Sequence, residues 1–397
     1  MSMHCPEQVI WMRLRVVSGP LSVVACVIAA TACGGHVTGP GSTGPAGAPS
    51  ATAAGTPARA VALRALWPER RILPESIYIA SQVFDPGTGV LYTLVSRTRA
   101  PANGRYVLQA TDLRTGAVRR GESYPVAQLS LVSGYLWVSG WPSAGMPPVL
   151  GQVDPETLRT VRSVSPSRVS WDSGVAPGPA GSVWVGAYRT LLRISVGSGA
   201  VLARTVLPPG LGLSDMAASA DGASLYVSAA HLVTGSAEEG AVVLEYSAST
   251  GELLAETDRI PISYSVAGAE LTALPGGVWV SFRTGMQGRS VLLSQRALAT
   301  VIAPVPARTP EGVTYWPMFS SSVYGGGALW VTTMTGLVAC VNPATGRVRA
   351  EETVTSQAAQ LGGLLVADGT ARQVFGFLLN DGYSGLVSIS PPRSCWG

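Results

Sequence analysis

The chain of 397 residues is 47% hydrophobic and 13% charged, with 47 Gly and 29 Pro, which excludes wholesale disorder and favours a fold with many turns over a helical bundle. All 27 cationic residues are arginine, so chemistry that needs an amine is closed: no Schiff base, no lysine general base, no phosphate loop ending in Gly-Lys. The formal net charge of +4 is scattered, and no nucleic-acid partner is expected from it.

Residues 1 to 32 read as a secretory signal. Arg13 and Arg15 precede an uncharged apolar stretch from Val16 to Ala32, which ends in small residues before a cysteine. Residues 1 to 11 carry no signal-like content, which points to Met12 as the true start. The stretch is marginal for a permanent span of a hydrocarbon core about 30 Å thick, and no basic flank follows it. Ala30-Thr31-Ala32-Cys33 followed by Gly34-Gly35 resembles a bacterial lipobox. That resemblance implies a lipid on Cys33 and a lipoprotein anchored outside the cytoplasm, with simple secretion as the alternative. Ala30 departs from the leucine usual at its position. Residues 33 to 58 hold the lipidated cysteine and then Gly, Pro, Ser, Thr and Ala without periodicity, a flexible tether.

Two of the five cysteines remain once the signal and the lipid site are set aside. Cys340 and Cys395 are candidates for a disulfide in an oxidising compartment; two separate thiols are the alternative.

From residue 59 to 397 one pattern recurs. A glycine-containing turn precedes a short β-branched and aromatic strand, then a polar gap, a second strand ending in Asp, Asn or Ser, and a closing turn. The aromatic position is Tyr92, Trp137, Trp184, Tyr226, Trp279, Trp330 and Phe375, at spacings of 45, 47, 42, 53, 51 and 45 residues. A period near 45 encodes one four-stranded propeller blade, so the expected fold is all-β, a seven-bladed β-propeller. The aromatics are expected to fill wedges between blades, with no ligand role. The second recurring element includes Asp112-Leu-Arg-Thr-Gly116, Asp154-Pro-Glu-Thr157 and Asn342-Pro-Ala-Thr-Gly346. Such segments predict corners between the third and fourth strands, the side-chain oxygen accepting from nearby N–H groups and Gly supplying positive φ. The seventh copy has too little chain left for an outer strand. The apolar segment from Ala60 to Leu66 is expected to supply it and so clasp the two ends of the chain.

Ser219-Ala-Asp221-Gly-Ala-Ser-Leu-Tyr226-Val-Ser resembles the SPDG-x-x-LYVS repeat of YVTN-type propellers. The corner at Asn342 is similar to those of quinoprotein amine dehydrogenase β-chain-like domains. The resemblance covers roughly residues 60 to 397 and implies architecture only, since such propellers host binding, structural and catalytic roles alike.

Catalytic parts are scarce. His231 is the one histidine of the repeat region, which closes poly-histidine metal sites and weakens a likeness to virginiamycin-lyase-like propellers. No Gly-x-Ser-x-Gly elbow occurs and no Asp-box, so serine-hydrolase and sialidase readings lose their markers. No cofactor, metal site or catalytic residue is assigned. The loops leading into the innermost strands and those joining second to third strands are expected to crowd the channel mouth. The candidate ligand residues there are Arg97, Trp141, Arg168, Trp171, Asp172, Arg189, Asp215, Tyr264, Arg283 and Trp316. Tyr124 is placed with them, and aromatic faces with arginine forks suit a protein, carbohydrate or small-molecule ligand. The expected function is a membrane-tethered, non-catalytic binding module. The alternative is an extracytoplasmic hydrolase, lyase or lactonase that uses Asp172, Asp215 and Glu270 at the mouth.

Overall fold

The computed structural model describes residues 69–71, 78–97, 105–125, 127–140, 149–164, 173–187, 189–231, 240–258, 260–261, 269–284, 287–298, 300–302, 319–333, 337–353, 360–370, 372–380 and 383–396. Short β-branched and aromatic runs separated by Gly, Asp and Pro fold as antiparallel sheets of four consecutive strands, joined by tight hairpins.

Blade 1 comprises Tyr78–Asp85, Val90–Ser96, Arg105–Asp112 and Val118–Pro125. Blade 2 comprises Ala127–Val132, Tyr135–Gly140, Val149–Val153 and Thr160–Val164. Blade 3 follows with Ser173–Pro177, Ser182–Ala187, Thr190–Ser195 and Val201–Val206. Blade 4 has Leu211–Ala218, Ser224–His231, Gly240–Ser247 and Leu253–Glu256, with Ile260–Pro261 also pairing to its third strand. Blade 5 has Ala269–Leu274, Gly277–Thr284, Gln287–Ser294 and Thr300–Ile302. Blade 6 has Phe319–Gly325, Ala328–Thr333, Leu337–Val341 and Val348–Thr353. Blade 7 has Gln360–Asp368, Gln373–Asn380 and Tyr383–Ile389, completed by the N-terminal strand Glu69–Arg71. The first strand of each blade touches the first strand of the next, and that of blade 7 touches that of blade 1. These strands therefore surround the axis, and the chain is an all-β, seven-bladed β-propeller.

The core is not one mass but seven wedges, one per blade interface. Tyr92 lies in the wedge between blades 1 and 2, Trp137 between 2 and 3, Trp184 between 3 and 4, and Tyr226 between 4 and 5. Trp279 fills the space between blades 5 and 6, Trp330 that between 6 and 7, and Phe375 packs with Ile79, Leu91 and Val95 where blade 7 meets blade 1. All seven sit on second strands, and the four tryptophans are at most 1% exposed. Their indole N–H groups are used internally: Trp137 donates to the Val132 carbonyl, Trp184 to Ala248, Trp279 to Ser281 Oγ and Trp330 to Gly325.

The corners between third and fourth strands follow from local chemistry. Asp112 Oδ1 accepts from the backbone N–H of Arg114 (2.8 Å) and Thr115 (3.1 Å), and Asp154 does the same with Glu156 (2.7 Å) and Thr157 (3.0 Å). These bonds hold both carboxyls below the usual carboxylate range. Gly116 closes its corner at φ +75°, while in blades 2 and 5 the left-handed position is taken by Leu158 (φ 56°) and Leu298 (φ 46°), both buried.

The closing strand differs from the expectation. Glu69, Arg70 and Arg71 pair with Ile389, Ser388 and Val387, whereas Ala60 to Leu66 lie outside the described residues. An outermost strand is required to supply backbone N–H and C=O groups to one neighbour, and Glu-Arg-Arg does that as well as an apolar run. The C-terminus returns to blade 6. Cys395, in a short 3-10 turn, is disulfide-bonded to Cys340 on the third strand of blade 6, and the Trp396 ring lies 4.8 Å from that of Trp330.

Candidate functional site

The innermost strands carry a repeated polar device. In each of blades 2, 3, 5 and 6, one backbone N–H of the innermost strand donates to a side chain of the preceding blade. Leu129 N–H donates to Ser81 Oγ at 2.9 Å, Val175 N–H to Ser130 Oγ at 3.1 Å, Leu271 N–H to Asp215 Oδ2 at 2.8 Å, and Ser322 N–H to Glu270 Oε1 at 3.2 Å. All four donors hold one register position: each directly precedes the residue paired with its own blade's tryptophan, as Leu129 precedes Ser130 opposite Trp137. Thr272 and Ser322 add a hydroxyl contact of 2.7 Å between blades 5 and 6. Sheet ladders pair the strands within a blade; these side chains join one blade to the next around the axis.

A local irregularity helps to place them. The innermost strands of blades 1, 3, 4, 6 and 7 each shift register near their start, in blade 4 between Leu213 and Asp215. An extra residue at such a bulge re-aims the side chains that follow it. Asp215 thus turns toward blade 5. Its second oxygen, Oδ1, accepts the Met216 N–H at 2.8 Å. The residue keeps part of its surface open, but its carboxyl group is enclosed by protein, and that burial raises its pKa from 3.8 to about 6 against the opposing pull of the two N–H bonds.

The other mouth candidates are placed unevenly. Trp141, Arg168, Trp171, Asp172, Tyr264 and Trp316 lie outside the described residues, as do 232–239 of the longest second-to-third-strand loop. Arg97 is exposed just beyond the second strand of blade 1. Arg189 sits half-buried in the short turn between the second and third strands of blade 3, one terminal nitrogen reaching the Pro208 carbonyl at 3.5 Å. Arg283 and His231 lie at the ends of the second strands of blades 5 and 4. Those strand ends share the side of the ring that bears the second-to-third-strand loops. Tyr124 belongs elsewhere: it is buried on the outermost strand of blade 1, its hydroxyl 2.8 Å from Thr160 Oγ1 of blade 2, and burial lifts its pKa to about 12. Its place before a predicted innermost strand misled the sequence reading, because blade 1 ends only one residue before blade 2 begins.

Sequence reasoning named Asp215 for the mouth and missed Ser81, Ser130 and Thr272, whose partners lie 48, 45 and 50 residues onward. The available signal was their shared offset from the aromatic repeat. Among the described residues no group of three or more His, Cys, Asp or Glu side chains is arranged to hold a metal ion.

The ring and its channel face define a β-propeller. No family model matches the chain, and no curated protein is similar to it. Among solved structures it is similar to BamB from Moraxella catarrhalis, with a TM-score of 0.48 and 15% identity over 79% of this chain and 83% of that one. At that identity the likeness concerns the course of the backbone and says nothing of what this chain binds.

Proposed function

We propose that this chain is an extracytoplasmic lipoprotein, tethered through Cys33, whose propeller is a non-catalytic binding module with its ligand face at the channel mouth. Arg97, Arg189 and Arg283 flank that face, together with the loops that hold Trp141, Arg168, Trp171, Asp172, Tyr264 and Trp316. The observation that carries the reading is the use made of the innermost polar side chains. Asp215 and Glu270, two of the three carboxylates that the hydrolytic alternative would draw on, each clamp the backbone of the following blade; the third, Asp172, lies outside the described residues. A carboxylate whose lone pairs hold two blades together serves a rigid ring, and a rigid ring suits presentation of loops. Arginine forks at the rim of the mouth suit carboxylate, phosphate or sulfate groups on a protein or glycan.

Two measurements test it. Growth with an azide-bearing fatty acid should label the parent chain and not a Cys33→Ser variant, and the labelled chain should fractionate with membranes; unlabelled, freely secreted parent would refute the tether. The full chain should then retain acidic glycans or peptides on an array, with retention lost on combining Arg97→Ala, Arg189→Ala and Arg283→Ala. Turnover of ester, lactone or glycoside substrates by the parent would refute the non-catalytic role.

A further inference from the structure

The eight large hydrophobic side chains that are exposed among the described residues all lie on outermost strands: Val118, Val161, Val201, Leu202, Val206, Leu253, Leu254 and Val348. Three of them belong to one strand, Val201–Val206 of blade 3, at 50%, 50% and 59% exposure. Its outer edge pairs with no other described strand. Ala203 packs toward blade 4, and Thr205 Oγ1 donates to the Gly251 carbonyl of that blade at 3.1 Å, which leaves Arg204 and Val206 on the opposite, open face. Leu202 is the extra residue at a register shift, and Ala203–Val206 then run in regular register against Arg193–Thr190.

Natural edges are usually blunted by proline, charge, brevity or cover. The outermost strands of blades 1, 4 and 6 show such devices. Blade 1 carries Gly121, Glu122 and Pro125 within its edge. The closing strand of blade 4 is four residues ending in Glu256. Blade 6 holds Glu351 and Glu352, and its Arg349 bonds the Cys395 carbonyl of the C-terminal turn. Blade 3 has neither proline nor glycine in its edge, and from Ser173 to Gly210 it contains Arg189, Arg193 and Arg204 without one carboxylate.

We propose that the outer edge of blade 3 is a docking site for an extended, acidic segment of a partner protein, which adds as a fifth strand. Backbone pairing along Ala203–Val206 supplies affinity, contacts with Leu202 and Val206 supply the apolar part, and Arg204 selects a carboxylate at the facing position. Charge complementarity decides the occupant. An edge that is apolar and purely cationic attracts an acidic strand and repels a second copy of itself.

The test uses the full chain and two synthetic peptides, acetyl-Thr-Val-Glu-Val-Glu-Val-Thr-amide and its lysine counterpart, with amide hydrogen exchange resolved by residue. The expected result is slowed exchange within Val201–Val206 at millimolar glutamate peptide and none with the lysine peptide. In Arg204→Glu the preference should reverse, with binding of the glutamate peptide weakened about fivefold, the size of one exposed ion pair. Arg204 is exposed, so this variant keeps the fold, and an unchanged exchange pattern in the other blades confirms that it has. Equal protection by both peptides, or by neither, overturns the proposal. So does protection that rises with protein concentration alone, which would make the occupant a second copy, or protection seen only with phosphatidylglycerol vesicles. Because the channel mouth plays no part in this readout, either surface can fail without the other.

Discussion

Asp215 offers a test in which the sign of the effect changes with pH. Its carboxyl titrates near 6 in the folded protein against 3.8 in the unfolded chain. Below pH 3.8 both states hold the proton and the group is neutral to stability. Between 3.8 and 6 the folded state retains a proton that the unfolded state has released, so stability falls as pH rises. Above 6 the full cost stands, and at about 1.4 kcal/mol per pH unit it reaches about 3 kcal/mol. In Asp215→Asn the amide oxygen can still accept the Leu271 N–H, but an NH2 group then faces the Met216 N–H in place of Oδ1. That mismatch costs about 1 to 2 kcal/mol at every pH. The variant should therefore be less stable than the parent at pH 4 and about 1 to 2 kcal/mol more stable at pH 7. Urea unfolding followed by tryptophan fluorescence at half-unit intervals from pH 4 to 7.5 reads the crossing directly. A stability difference that stays constant across this window would refute the view that the carboxyl is enclosed and clamps blade 5.

Three further outcomes follow from the way the ring is closed. Cys340→Ser with Cys395→Ser opens a loop of 55 residues, and in the chain-entropy model this removes about 4 kcal/mol, lowering the melting temperature by about 6 °C in calorimetry. Deleting residues 69–71 strips the edge of Val387–Ile389 and should cost about 2 kcal/mol, or about 3 °C, with the two losses exceeding their sum when combined because both secure blade 7. Gly116→Ala has open space for its methyl group, yet holds φ +75°, so it should destabilise by about 1 kcal/mol in urea titration through backbone strain alone.

The parts of this fold that were legible in the sequence are those set by side-chain burial repeated at fixed spacing. Trp137, Trp184, Trp279 and Trp330 announce their wedges because a blade covered on both faces has to fill the same space each time. The corner at Asp112 is equally readable, since its bonds span only two or three residues. The closing strand was placed some residues too early because a strand at the solvent edge needs backbone groups and no apolar pattern, and Glu69-Arg70-Arg71 has none. The clamps at Ser81 and Asp215 were illegible as clamps: the partner is a backbone N–H, which any residue provides, in a blade about 50 residues away. A polar residue near a strand start reads as a mouth ligand until a bulge is seen to turn it aside.

The double fastening of blade 7 governs how the ring answers a mechanical load. A tug through the residues before Glu69 is delivered to the closing strand, where Glu69–Arg71 lie antiparallel to Val387–Ile389 at the outer edge, so that strand is the first thing to yield. Unravelling cannot run on from there into the C-terminal end, because the Cys340–Cys395 bond turns blade 7 into part of a covalent hoop. The closing strand can therefore peel away while Cys340–Cys395 still fastens the C-terminal end to blade 6.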